Sequence, residues 1–214
     1  MKTIGIIGSG IVAKTLGTGF IKQGHEVMLG SRNVSKLADW QSAAGDKAYV
    51  GSFEQAAKFG DIIILAVAGS SAIEAIELAG PEHMNGKTVI DTTNPISGAP
   101  QDGVLQFFTN SNESLMEILQ DRFPAIHLVK AFNSVGNALM VNPQVAGGRP
   151  TMFICGNNEA AKKETTAILG AFGWEAEDMG KVAAAGCIES LCILWCIPGF
   201  LRNQWSHVFK LVKV

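Results

Sequence analysis

The chain has 214 residues, of which 47% are hydrophobic and 17% charged, and this composition excludes a disordered or fibrous protein. Its net charge of −2 provides no basic surface for nucleic acid, so we expect no nucleic-acid partner. The apolar stretch 187–201 contains Glu189 and Pro198 and falls short of the roughly 18–20 residues of a membrane span. Without a signal peptide or a span, the protein is expected to be cytoplasmic.

Apolar strand-like runs alternate with helix-length segments, which predicts parallel βαβ units. The predicted strands are residues 3–7, 26–29, 48–50, 61–67, 88–91, 127–131, 152–155 and 174–177. The predicted helices are residues 11–23, 34–43, 54–58, 71–78, 114–121 and 159–172. Residues 94–108 form a connection long enough to suggest a functional loop.

This order predicts an α/β fold of the Rossmann type, with a doubly wound and mostly parallel sheet. We expect one sheet to account for an NADP(H)-binding domain over residues 1–180. Residues 181–214 are expected to form a short, mostly helical C-terminal segment, interrupted at Pro198-Gly199, that provides an acceptor site or a dimer contact. A homodimer is therefore expected.

A glycine-rich motif follows the first predicted strand and begins the first helix. Gly8-Ser9-Gly10-Ile11-Val12-Ala13 matches the G-x-G-x-x-G/A pattern of dinucleotide-binding folds. Gly8 permits the tight turn, Gly10 lets a pyrophosphate approach the backbone, and Ala13 lets the helix pack closely on the sheet. The pyrophosphate is expected at the positive end of the helix.

The end of the second strand indicates which dinucleotide binds. A site for NAD carries an acidic residue here, whereas this chain has Ser31, Arg32 and Asn33, followed by Lys36. Arg32 can pair with phosphate oxygens, and Lys36 adds a positive charge. We also expect Gly30 to leave room for the phosphate. The motif predicts a site for NADP(H), although an ordinary solvated pair at a loop end is the alternative.

Other strand ends are expected at the same edge of the sheet, where ligands of open α/β sheets bind. The small residues Ala66, Val67 and Ala68 suit a ribose or nicotinamide. Asn94 and Asn133 are polar and face either the crevice or a turn that they cap. Lys130 is interpreted as a surface residue at a strand end.

Neither an acid–base catalyst nor a metal site is predicted. The four histidines are scattered, which is compatible with hydride transfer between two cofactors, because such transfer depends mainly on positioning. The catalytic residues are therefore unknown. Cys187, Cys192 and Cys196 lie close together without a CxxC pattern, so we interpret them as small buried side chains rather than as metal ligands.

The glycine motif, Gly30-Ser31-Arg32-Asn33, Asp91-Thr92-Thr93-Asn94-Pro95 and Lys130-Ala131-Phe132-Asn133 resemble a known family over nearly the whole chain. They are similar to the NADP oxidoreductases dependent on coenzyme F-420 (F420), a deazaflavin, and to the cytosolic reductase domain of the STEAP metalloreductases. The resemblance implies that a hydride passes between NADP(H) and F420 or a flavin (FAD or FMN). Support of metal reduction is a further implication of the likeness to the STEAP proteins. We expect no membrane domain of the STEAP kind.

The motifs and the resemblance together predict one set of cofactor-binding residues. These are Gly8, Ser9, Gly10, Ile11, Val12, Ser31, Arg32, Asn33, Lys36, Ala66, Val67, Ala68, Asn94, Pro95, Ile96 and Asn133. Two alternatives to the reductase stay open. One is a non-catalytic NADP(H) sensor that acts through a partner, and the other is an NADP-dependent dehydrogenase of a small substrate.

Overall fold

The fold is built on a six-stranded parallel sheet in the order β3-β2-β1-β4-β5-β6. It is seen in a computed structural model that describes residues 1–110 and 112–214. The strands are β1 (Thr3–Ile7), β2 (Glu26–Gly30), β3 (Ala48–Gly51), β4 (Ile62–Leu65), β5 (Thr88–Asp91) and β6 (His127–Lys130). Because the strand order reverses between β1 and β4, the predicted doubly wound Rossmann-type sheet is confirmed.

Helices cover both faces of this sheet, which explains why all four residues of the central strand β4 are buried. The helices are α1 (Ile11–Lys22), α2 (Ala38–Ala44), α3 (Phe53–Phe59), α4 (Ala72–Ala79), α5 (Leu115–Arg122), α6 (Glu159–Ala171) and α7 (Ala185–Arg202). Gly17 lets α1 lie close to its neighbours, since a Cβ there would come within 3.0 Å of the Trp40 ring. The close packing expected of α1 is therefore present.

The expectation of one sheet over residues 1–180 is wrong in one respect. Strands β7 (Thr151–Ile154) and β8 (Glu175–Asp178) pair with each other as a separate two-stranded parallel sheet. Directly after β7, Cys155 forms an isolated antiparallel bridge with Lys130 at the end of β6. An isolated bridge is not a ladder, so the parallel pairing of the main sheet does not continue into the smaller sheet.

The C-terminal segment also differs from the prediction. Helix α7 runs through Pro198 without interruption and ends at Arg202; the next residue, Asn203, has a left-handed φ of 53°. Because proline has no N–H, the helix lacks the one hydrogen bond that residue 198 would donate to the Leu194 carbonyl, and the helical turns on either side continue. Residues 203–214 are not helical. They turn back along β7, where the Thr151 amide donates to the Phe209 carbonyl at 2.9 Å.

By length and composition alone, the helical stretch Val182–Arg202 is sufficient to cross a membrane. The sequence-based judgement that it is too short was therefore wrong. A core helix of a soluble protein can pass the same test, and α7 buries Glu189 and Trp195 against the rest of the chain. A buried carboxylate held by protein partners explains the charge inside this apolar stretch.

Candidate functional site

A cleft of about 460 Å³ opens beyond the carboxyl ends of β1, β2 and β4. This is the edge at which open α/β sheets bind their ligands. Most of the predicted cofactor residues line it: Gly8, Ser9, Gly10, Ile11, Val12, Ser31, Arg32, Asn33, Lys36, Ala66, Val67 and Ala68. Fold and sequence pattern therefore bring three separate loops together around one cavity.

The turn from β1 into α1 has the geometry of a phosphate cradle. Gly8 has a φ of +148°, and a Cβ there would lie 2.1 Å from the Ala66 carbonyl oxygen, so only glycine fits. A Cβ at Gly10 would meet nothing within 4 Å, which leaves open space at the beginning of the helix. Helix α1 has no side-chain cap and no acidic residue in its first turn. Its first N–H groups can therefore bind an anion.

The loop after β2 carries the positive charge of the cleft. Arg32 and Lys36 are exposed and line the cavity. The Ser31 hydroxyl donates to the Asn33 carbonyl at 2.9 Å and accepts from the Asn33 amide at 3.0 Å, so it stabilises the turn that presents Arg32. The donors and charges in this loop fit a phosphate group on the adenosine ribose.

Gly30 has a different role from the one expected. A Cβ at this position would lie 3.0 Å from the Ala56 Cβ and 3.1 Å from the Phe53 Cα. Glycine is therefore required for the close packing of α3 on β2. It does not serve to leave room for a phosphate.

The loop after β4 approaches the loop after β5 at very short range. A Cβ at Gly69 would lie 2.0 Å from the carbonyl oxygen of Asn94, so a side chain there would push the two loops apart. Asn94, Pro95 and Ile96 follow β5 and lie outside the residues that line the cleft. Pro95 is buried, whereas Asn94 is half-buried at the edge of the sheet.

Asn133 lies behind Asn94. It is 4% exposed, and its amide nitrogen donates to the Asn94 Oδ1 and to the Ile188 carbonyl oxygen, at 3.0 Å each. Asn94 in turn donates to the Asn133 carbonyl at 2.8 Å. Asn133 therefore links the loop after β5 to helix α7, and any influence on a ligand would pass through Asn94.

Lys130 is fully buried, so its interpretation as a surface residue was wrong. Its Nζ lies 2.6 Å from Asp91 Oδ2 and 2.8 Å from Glu189 Oε1. Burial acts to lower the pKa of Lys130, but the Asp91 and Glu189 carboxylates outweigh it and raise that pKa above its ordinary value. A lysine in a sequence is normally expected at the surface, because lysines are almost never buried unless they are paired. The sequence alone therefore does not indicate this buried environment.

Glu189 completes this cluster from helix α7. Its Oε2 accepts from the Leu115 amide at 3.0 Å, and its Oε1 accepts from the Met116 amide at 3.1 Å. It therefore caps α5, whose positive end stabilises the carboxylate. Through Lys130, the cluster joins the ends of β5 and β6 to α7.

Sequence reasoning missed several residues of the cleft. These are Phe53, Ser71, Glu74, Ala75, Leu78 and Thr92. Most of them lie on α4 or just before it, on the face that borders the cavity. The helical spacing of Ser71, Ala75 and Leu78 was the available signal. Glu74 is the one with a charge, and its Oε2 lies 3.8 Å from Arg32 Nη1.

The cysteines differ in environment. Burial raises the pKa of the Cys155 thiol to about 12. A hydrogen bond with Cys196, together with burial, raises the pKa of Cys192. Cys187 is exposed, which corrects its interpretation as a buried side chain. Among the residues that the structure describes, no group of three or more potential ligands could hold a metal ion.

Residues 3–95, which contain the cradle and the Arg32 loop, match the family described as NADP oxidoreductase, coenzyme F420-dependent. The F420-dependent NADP reductase of Methanocaldococcus jannaschii is 25% identical over 184 residues, which is 80% of each chain. The crystal structure of a candidate F420-dependent NADP reductase from Arthrobacter sp. FB24 superposes with a TM-score of 0.92 at 27% identity and covers both chains completely.

The metalloreductase STEAP3 of Rattus norvegicus is 30% identical over 203 residues, or 92% of this chain. The chain spans only 38% of the length of that relative. The matched family and these relatives are described as NADP oxidoreductases and metalloreductases, which confirms the resemblance noted in the sequence.

Proposed function

We propose that this protein binds NADP(H) in the cleft and transfers a hydride between it and a deazaflavin or flavin acceptor. One observation carries the proposal: the open cradle at Gly10 and the positively charged loop at Arg32 lie on the same cavity. The first fits a pyrophosphate and the second a 2′-phosphate, which is the combination found in NADP(H) alone among the nicotinamide cofactors.

The chain's own residues bind and orient in this proposal. The first turn of α1 holds the pyrophosphate, and Arg32 and Lys36 hold the 2′-phosphate. Ala66, Val67 and Ala68 leave space for the ribose that leads toward the nicotinamide. Bound NADPH supplies the hydride. Hydride transfer depends on the close placement of two rings more than on a proton donor or acceptor. The lack of a histidine among the described residues that line the cleft is therefore no obstacle.

The acceptor is proposed from the relatives. The archaeal relative is described as F420-dependent, and the STEAP relatives as metalloreductases. We therefore rank F420 first, followed by FMN or FAD. Asn133 joins Asn94 to the Ile188 carbonyl of α7, so we place the acceptor beside this end of β5 and α7. A cytoplasmic location and a homodimer in solution are part of the same proposal.

The test is a comparison of acceptors in the presence of NADPH. We expect the oxidation of NADPH to accelerate with F420, FMN, FAD or ferric chelate, and F420 to be the fastest. Arg32→Ala should raise the KM for NADPH by about 10–100-fold, the equivalent of one or two charge-assisted hydrogen bonds, and change the KM for NADH by less than about twofold. Arg122→Ala is the matched control, because Arg122 pairs with Glu77.

Three outcomes would count against the proposal in different ways. Failure of the wild-type protein to bind NADPH would overturn it. Equal losses for NADPH and NADH in Arg32→Ala would remove the 2′-phosphate assignment. Tight binding of NADPH without turnover of any acceptor would favour the non-catalytic sensor instead.

A further inference from the structure

One carboxylate lies opposite the positive loop of the cleft. Glu74 is in the first turn of α4, and its Oε2 lies 3.8 Å from Arg32 Nη1, which follows β2. Both side chains are largely exposed to solvent, Glu74 at 61% and Arg32 at 66%. Because the two residues come from different elements and line the same cavity, their contact spans the mouth of the cleft.

The charge of Glu74 opposes that of its surroundings. Among the described residues that line the cleft, it is the one acidic side chain, whereas Arg32, Lys36 and the beginning of α1 are positive. A carboxylate in an anion-binding cleft has the same sign of charge as the ligand. It must therefore be displaced or repelled when a phosphate dianion binds.

The geometry of the pair suits an exchange of partners. At 3.8 Å the contact is too long for a hydrogen bond, so Glu74 attracts Arg32 without fixing its guanidinium. Exposed pairs of this kind are weak. A phosphate carries about −1.5 to −2 charges at neutral pH and can accept two parallel hydrogen bonds from arginine, so it binds Arg32 more strongly than the carboxylate does.

We propose that Glu74 is a specificity-determining residue that competes with the 2′-phosphate of NADP(H) for Arg32. Without a phosphate, Glu74 attracts Arg32 across the cleft. Binding of NADPH breaks the pair, whereas a dinucleotide without the 2′-phosphate leaves it intact. Glu74 therefore lowers the affinity for NADPH and reduces the ratio of the affinity for NADPH to the affinity for NADH. The inference rests on the proposed function, because it assumes that the dinucleotide occupies this cleft.

The experiment is a calorimetric titration of the full chain with NADPH and NADH at low salt. Glu74→Gln keeps the size of the side chain and removes its charge. We expect this variant to bind NADPH about 3–5-fold more tightly, because Arg32 no longer has to leave an exposed ion pair, and to bind NADH within about twofold of wild type. Glu77→Gln, on the same helix but paired with Arg122, is the control and should leave both affinities unchanged.

A second variant tests the mechanism. In an Arg32→Ala background, Glu74→Gln should gain less than about twofold for NADPH, because the shared partner is gone. Weaker NADPH binding by Glu74→Gln would overturn the inference, since Glu74 would then be a ligand contact. An unchanged affinity, or an equal gain for both dinucleotides, would also overturn it. If wild type does not bind NADPH at all, the proposed function fails, and this result is distinct from the others.

Discussion

Replacing Lys130 with methionine tests the buried cluster that joins the sheet to α7. Methionine retains the length of the aliphatic chain but leaves the carboxylates of Asp91 and Glu189 without their cation. Both carboxylates are 0–1% exposed, so water cannot replace the lysine without a rearrangement. Removing one partner of a buried ion pair costs about 3–5 kcal/mol. For a chain of this size, that loss lowers Tm by about 6–20 °C.

The assay is thermal unfolding together with denaturant titration, and Lys162→Met is the matched control. Lys162 is also largely buried, but its partners Glu159 and Asp178 are 81% and 45% exposed and can be hydrated. The free energy of unfolding of the control variant should therefore fall by no more than about 1 kcal/mol. Lys130→Met combined with Glu189→Gln should recover part of the loss. Equal decreases in Tm and in the free energy of unfolding for Lys130→Met and Lys162→Met would refute the reasoning about the buried cluster.

The same lysine predicts a dependence on alkaline pH. Its pKa is raised in the folded protein above its value in the unfolded chain, so the folded state holds the proton more tightly. This contribution to stability is complete below the ordinary lysine pKa of about 10.4 and is lost as the pH rises through the folded value. The denaturation midpoint of wild type should thus fall more steeply above about pH 10.4 than that of Lys130→Met. Parallel slopes would contradict the assignment.

Three further predictions concern the glycines and the thiols. Gly10→Val should weaken NADPH binding by at least about tenfold and change Tm by less than about 2 °C, because its side chain enters the open cradle; an unchanged affinity would argue against the cradle. Gly8→Ala should cost at least about 2 kcal/mol in denaturant titration, since its Cβ would meet the Ala66 carbonyl oxygen. In thiol labelling of the native protein, exposed Cys187 should react first, and Cys155 and Cys192, which are buried and have raised pKa values, should react last; the reverse order would contradict these environments.

The sequence predicts the main sheet and the cradle well because both depend on local patterns. Apolar runs such as residues 62–65 specify buried parallel strands by themselves, and the glycine motif needs only its own turn. The boundaries of most strands and helices agree with the prediction to within one or two residues. The loop of Arg32 can be predicted because it comes directly after β2, and β2 is itself recognised from its apolar pattern.

The side-chain networks could not be predicted in the same way. The contact of Arg32 with Glu74 and that of Lys130 with Glu189 join residues far apart in the chain, and nothing in either local pattern indicates the partner. The paths of β7 and α7 depend on such contacts as well. Gly30 shows a further difficulty, since a glycine required for helix packing and one that makes room for a ligand look alike in a sequence.

The central claim is that the cleft recognises a phosphate on the adenosine ribose, and the most direct measurement uses fragments of the cofactor. Calorimetric titration of wild type with 2′,5′-ADP and with 5′-AMP isolates that group from the nicotinamide half. We expect 2′,5′-ADP to bind at least about tenfold more tightly, and the difference to disappear in Arg32→Ala. Equal affinities of the wild-type protein for the two fragments would contradict the account.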